Sequence, residues 1–204
     1  MHLERLRREP DGSVLAAVAS SGELSNEEIL AAARVIVFGG VETTAAMLAN
    51  TLWALLSHPS QLAAVRADPA LLPQAIEEAL RWEPPVQSCT RFVTRPVVVQ
   101  GVALSPGEMV QCMVGAANRD PEHFTEPDAF DLRRPNARDH LSFAIGKHFC
   151  LGAALARLEG EIGLGILLEQ LPGLRLDPTQ FSSPRGHEFR SPSTLQVRWD
   201  TPSA

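Results

Sequence analysis

Lysine and cysteine are both scarce in this sequence, and net positive charge is absent. Lys147 is the one lysine among 18 cationic residues, and 24 acidic residues leave the 204-residue chain at −6. Nucleic-acid binders need a basic surface to displace counterions from phosphates, so this balance argues against such a partner and disfavours anionic membrane surfaces. The three cysteines, Cys89, Cys112 and Cys150, are odd in number and far apart. That usage suits reduced thiols better than a disulfide framework. His123, His140 and His148 show no paired ligand spacing with them, so a zinc site is not expected. The opening MHLERLRREPDGS lacks the apolar core of a signal peptide, which makes the cytoplasm the expected location. No internal repeat is visible.

What remains is an ordinary soluble-domain composition, 45% hydrophobic and 21% charged. The expected class is mainly α with small β-sheets (α+β), in one partial domain. After a lead segment, 1–24, Ser25 and Glu28 form a capping box that opens a long apolar helix within 25–57, about Asn26 to Leu56. Such a helix is roughly 45 Å long and, being apolar on nearly all sides, belongs inside a larger body. Arg34, Glu42 and Asn50 interrupt it as a membrane span. Shorter helices are expected at Ser60–Ala67 and within 73–83, the latter opened by Pro73 and stopped by Pro84 and Pro85. The segment 91–117 reads as two or three strands broken by Gly101 and Pro106-Gly107. An aperiodic loop rich in Pro, Asp and Arg fills 119–140, and loops of that length are usually functional. A second strong helix is expected from Leu151 to Leu171, and STLQVRW reads as a closing strand within 151–204.

Cys150 falls where FAIGKHFC enters that second helix. Unpaired backbone N–H groups and the positive end of a helix dipole would favour a thiolate there. Gly146 and Gly152 would allow a tight turn and close approach to something flat. A buried structural cysteine is the competing account. In the long helix, Gly39 and Gly40 each cost about 1 kcal/mol relative to alanine, which suggests that something needs access to that backbone. Glu42 and Thr43 beside them can relay protons through water, and Thr43 can bond a carbonyl one turn back. A packing contact of small residues, with Glu42 in solvent, would explain the same pattern.

FAIGKHFCLG, with Phe143, Gly146, His148, Cys150 and Gly152 in register, closely resembles the haem-binding loop of the cytochrome P-450 monooxygenases. GGVETT (39–44), EEALRWEPP with Glu78 and Arg81, and PPVQSCTR with Arg91 resemble further segments of that family in the same order. The resemblance implies the C-terminal half of the cytochrome P-450 fold and haem b (iron protoporphyrin IX) as cofactor. Cys150 becomes the thiolate ligand to iron, with Phe143 packed beside it. It also implies Glu42 and Thr43 as the acid and alcohol that deliver protons, and Arg91 with His148 as cations for haem propionates. Glu78 and Arg81 become a buried structural pair; from spacing alone they would be an ordinary solvated pair worth a few tenths of a kcal/mol.

The implied partners are a small apolar organic substrate and an electron-donor protein of ferredoxin or flavodoxin type with its reductase, since no dinucleotide fingerprint is present. Arg133, Arg134, Arg138, Lys147 and Arg157 surround the cysteine loop in sequence and could steer an acidic donor; scattered solvated charge is the alternative. Val86–Val93 and the region near Phe189 would line the substrate pocket. Two departures stand out. The family often has an arginine where Ala129 precedes Phe130, for which Arg133 or Arg134 could substitute. Family members are also about twice as long, so an exposed apolar face over Gly39–Met47 is expected, with self-association or need of an N-terminal half. A non-catalytic half-domain is thus the alternative to a monooxygenase.

Overall fold

The computed structural model describes residues 2–201. The chain divides into two compact units, Met1–Glu42 and Thr43–Ala204, and one long helix contributes to both. In the first unit the lead segment forms two short helices, α1 (His2–Arg8) and α2 (Val14–Ser21). Ser13 caps α2 by accepting from the Ala16 amide, and Gly22 ends it at φ 74°. Leu3, Ala19 and Ile29 form its small core, and Arg7 Nε donates to the Ala19 carbonyl.

The long helix, α3, runs Asn26–Ser57. Its capping box forms as the sequence implies: Glu28 N–H donates to Ser25 Oγ, and Glu28 Oε2 accepts from the Ser25 amide. Val35, Val37 and Val41 are exposed at 70%, 67% and 66%. The exposed apolar stretch therefore lies about a turn earlier than the expected Gly39–Met47, because Met47 is buried. By length and composition α3 does qualify as a membrane span, against the expectation from its interruptions; core helices of soluble proteins meet the same criterion.

In the second unit, Met47, Leu55, Leu56 and Asn50 of α3 are buried. The three apolar ones share a core with α4 (Pro59–Ala67), α5 (Leu72–Trp82) and α7 (Ala153–Gln170). Close packing depends on Gly160 of α7, where an added Cβ would stand 3.1 Å from both Ile76 and Met47 side chains. Among the described residues the sheets are three antiparallel pairs. β1 (Cys89–Phe92) pairs with β4 (Met109–Cys112), β2 (Val97–Val99) with β3 (Val102–Leu104), and β5 (Arg175–Leu176) with β6 (Val197–Arg198). Four strands thus replace the two or three expected before 117, and Val114–Ala117 turns into a short helix, α6. The expected closing strand shrinks to β6. The loop from 119 to 140 has no regular element except a single 3-10 turn at Ala137–Asp139.

Candidate functional site

The cysteine loop is held between two regular pieces of backbone. A 3-10 turn at Gly146–His148 precedes Cys150, and Gly146 has φ 65°, a conformation that glycine adopts without a Cβ penalty. The Cys150 amide donates to the Phe143 carbonyl at 2.8 Å, closing the loop on itself. Gly152, at φ −86°, is not a left-handed position; a Cβ there would meet Cys150 Sγ at 3.9 Å. Helix α7 begins only at Ala153, so Cys150 sits three residues ahead of it instead of at its first turn. Cys150 is exposed, which removes the buried structural cysteine as an account. Ile145, Phe149 and Leu151 around it are exposed at 70%, 55% and 86%, an apolar rim beside one soft donor.

Beneath this loop, α5 carries two adjacent buried carboxylates with separate sets of partners. Glu78 takes two hydrogen bonds from Arg81, Nε to Oε2 and Nη2 to Oε1, each at 2.8 Å. Both side chains are fully buried. Arg81 also donates to the carbonyls of Asn118, Pro127 and Ala129. Arg134 Nε reaches Glu78 Oε1 at 3.1 Å, and its remaining donors reach the carbonyls of Thr125, Glu126 and Ala129. The Asp131 amide adds a further bond to Glu78. The aperiodic segment 118–134 is therefore ordered by charged side chains saturating its carbonyls.

Glu77, one residue earlier, holds a different group. It accepts from Arg157 on α7 through both oxygens and from His140 Nε2 at 3.1 Å. Burial alone would raise its pKa, but the bonds from His140 and Arg157 outweigh that and hold it at about 2. His140 Nδ1 accepts from the Ser142 amide, which leaves the Nε2 proton for Glu77. The Arg157 guanidinium lies 4.6 Å from the centroid of the Phe143 ring. Its own pKa is raised, because the hydrogen bond to Glu77, with that carboxylate's charge, outweighs the opposing effect of burial.

The other expected residues are more dispersed. Glu42 is exposed and Thr43 half-buried on one turn of α3. A Cβ at Gly39 or Gly40 would meet nothing within 4 Å. Arg91 is exposed on β1 and donates to the Thr90 carbonyl, and His148 is exposed in the turn before Cys150. Val86 bridges to Phe189, with the Gln87 amide donating to the Glu188 carbonyl and the Arg190 amide to the Pro85 carbonyl. The two segments expected to line one pocket are thus adjacent.

The sequence signature described as Cytochrome P450 matches residues 11–184. The chain belongs to that family. It is 44% identical over 210 residues to the cytochrome P450 monooxygenase PikC of Streptomyces venezuelae, covering 97% of this chain and 50% of PikC. It is 42% identical over 179 residues to the 6-deoxyerythronolide B hydroxylase of Saccharopolyspora erythraea, covering 85% of this chain and 44% of that enzyme. The fold matches P450BioI, crystallised with a ligated acyl carrier protein, at TM-score 0.90 and 36% identity, over 98% of this chain and 52% of that one. The chain thus has part of the cytochrome P450 fold and spans about half the length of the relatives it matches.

Two sequence expectations change in this light. The arginine missing at Ala129 is replaced by Arg134, since the position of Ala129 contributes only a carbonyl, to both Arg81 and Arg134. Arg133 is exposed and does not substitute. The five-residue basic cluster contracts: Arg134 is buried on Glu78 and Arg157 is bound to Glu77, leaving Arg133, Arg138 and Lys147 exposed. Glu77 itself escaped sequence reasoning. The available signal was a second acid beside Glu78, flanked by Ala75, Ile76, Ala79 and Leu80.

Proposed function

We propose that this chain is the haem-binding part of a haem-thiolate monooxygenase, with Cys150 as the protein ligand to iron and a small apolar organic molecule as substrate. The observation that carries this reading is the exposed Cys150 thiol, tied by its own amide to Phe143 and rimmed by exposed Ile145, Phe149 and Leu151. One soft donor inside an apolar rim fits a flat macrocycle that brings its own equatorial nitrogens. Among the described residues no three His, Cys, Asp or Glu side chains gather to hold a bare metal ion. When bound, thiolate-ligated haem b supplies the reductive activation of dioxygen and the transfer of one oxygen atom to the substrate.

The residues of the chain take the remaining roles. Cys150 holds the iron, and Phe143 shields the sulfur from one side. Gly146 and Gly152 keep side chains away from the macrocycle. Arg91 and His148 are the cations for its propionates, by charge-assisted hydrogen bonds. Thr43 and Glu42 hold and pass protons along α3, where Gly39 and Gly40 leave the helix surface without a side chain. Glu78, Arg81 and Arg134 hold the segment 118–134 in place. The exposed cations Arg133, Arg138 and Lys147 suit an acidic electron donor of ferredoxin or flavodoxin type, itself served by a reductase. The 42% identical relative is a hydroxylase, which favours hydroxylation of a C–H bond. We place this reaction in the cytoplasm.

A second reading, a half-domain that binds haem only with a partner chain, is favoured by the exposed Val35, Val37 and Val41 and by the half-length match. One experiment separates the two. The reduced, carbon-monoxide-bound spectrum of the purified chain reconstituted with haem is recorded beside Cys150→Ala. A long-wavelength Soret band lost in the substituted protein establishes the first reading, whereas its absence from both favours the second.

A further inference from the structure

The ends of the cysteine loop converge on one buried carboxylate. His140 precedes Cys150 by ten residues and Arg157 follows it by seven, yet both side chains end on Glu77, which is 1% exposed. Within the same circuit, Arg157 covers the Phe143 ring and the Phe143 carbonyl accepts the Cys150 amide. Each hydrogen-bonding position has a defined partner: Arg157 engages both oxygens, His140 shares Oε2, and the Ser142 amide fixes the His140 tautomer. Arg138 stands at 3.9 Å but is largely in solvent. Packing alone does not call for such a group, since a buried ionic cluster often contributes no more stability than apolar residues of the same volume. Directional bonds to both ends of one loop do supply something that packing lacks, a defined separation and orientation of those ends.

We propose that Glu77 is a positioning residue for the cysteine ligand: a single strut that fixes both the entry and the exit of the 140–157 segment and so sets where the Cys150 sulfur points. Its relevance to catalysis rests on the reading of Cys150 as the iron ligand; its relevance to loop geometry does not. Glu78, on the next position of α5, orders the preceding segment and makes no bond to either end of this one.

The test is amide hydrogen exchange, followed by mass spectrometry, on the full haem-free chain and on Glu77→Gln. Exchange across 141–151 should rise about tenfold, since hydrogen bonds to a charged group are lost at both ends. The β1–β4 pair should keep its protection. Unchanged exchange in 141–151, or an equal rise throughout the chain, overturns the proposal. If Glu77→Gln does not fold, Arg157→Gln and His140→Asn cut one tie each. Each should raise exchange in 141–151 about threefold with the rest unchanged, and no rise in either overturns the proposal. The second readout is the reduced carbon-monoxide spectrum after haem loading, in which Glu77→Gln should lower the thiolate-ligated fraction. An unaltered fraction overturns the strut. Absence of the thiolate band from the unsubstituted chain overturns the haem reading instead, while hydrogen exchange still decides the strut.

Discussion

Helices α5 and α3 reverse the usual relation between polarity and burial. On α5, Glu77, Glu78 and Arg81 are buried to 1% exposure or less, whereas on α3 Val35, Val37 and Val41 stand in solvent at 66% or more. The acids are buried because their oxygens accept from charged or backbone donors, Glu78 from Arg81, Arg134 and the Asp131 amide and Glu77 from His140 and Arg157, while Arg81 in turn donates to the carbonyls of Asn118, Pro127 and Ala129. The valines are exposed because the core of their own unit takes in only Ile29 from α3, with Leu3 and Ala19. In this chain burial follows the availability of partners, and the polarity of a side chain is a poor guide to it.

The sharpest way to break that comparison is to remove a partner from α5. Arg81→Ala leaves Glu78 as a buried charge with one of its two cations gone, a change that typically costs about 3–5 kcal/mol. Urea unfolding followed by circular dichroism should show the loss, and a cost below about 1 kcal/mol would mean that the pair is solvated after all. Arg134→Ala and Arg133→Ala extend the test along the chain. The first removes a buried ion pair to Glu78 and should cost about 2 kcal/mol or more; the second, on an exposed side chain, should stay within about 0.5 kcal/mol.

Much of this was legible in sequence for identifiable reasons. Ser25 and Glu28 mark a helix start through contacts three residues apart, and Pro73, Pro84 and Pro85 bound α5 through local backbone restriction. The spacing of Phe143, Gly146, Cys150 and Gly152 was likewise local. The illegible parts depend on distance. Nothing near Glu77 announces partners 63 and 80 residues away, and nothing in DLRR tells Arg134 from Arg133 until the chain folds back on α5. Val114–Ala117 read as a strand because its short apolar run fits either element; packing against the carbonyl of Gln87, which accepts the Gly115 amide, decides it. The lead segment hid two helices because Leu3, Leu6, Ala16 and Ala19 are too few to show a period.

Acid provides a second, graded break. Glu77 has a folded pKa of about 2 against an ordinary value of 4.5, so its contribution is present in full above pH 4.5 and disappears as pH falls toward 2. The depression corresponds to about 3 kcal/mol across that interval. Unfolding free energy measured from pH 6 to pH 2.5 should therefore fall more steeply for the unsubstituted chain than for Glu77→Gln, which has no proton to gain. Equal slopes would show that other carboxylates dominate acid unfolding and that Glu77 is not held as its partners imply.

The smallest effect on folding is expected where the surface is most apolar. Val35, Val37 and Val41 lie on the exposed part of α3, so replacing all three with Gln removes little buried area and slightly favours the helix. Unfolding free energy should stay within about 0.5 kcal/mol of the unsubstituted chain for each position changed. The same change should reduce light scattering at high protein concentration, because a contiguous apolar stretch invites association. A large loss of stability would instead mean that α3 already has a partner across those positions, and the contrast with α5 would then be one of degree. Unchanged stability with diminished association is the result that keeps the two helices distinct, one saturated by its own chain and the other open to a second surface.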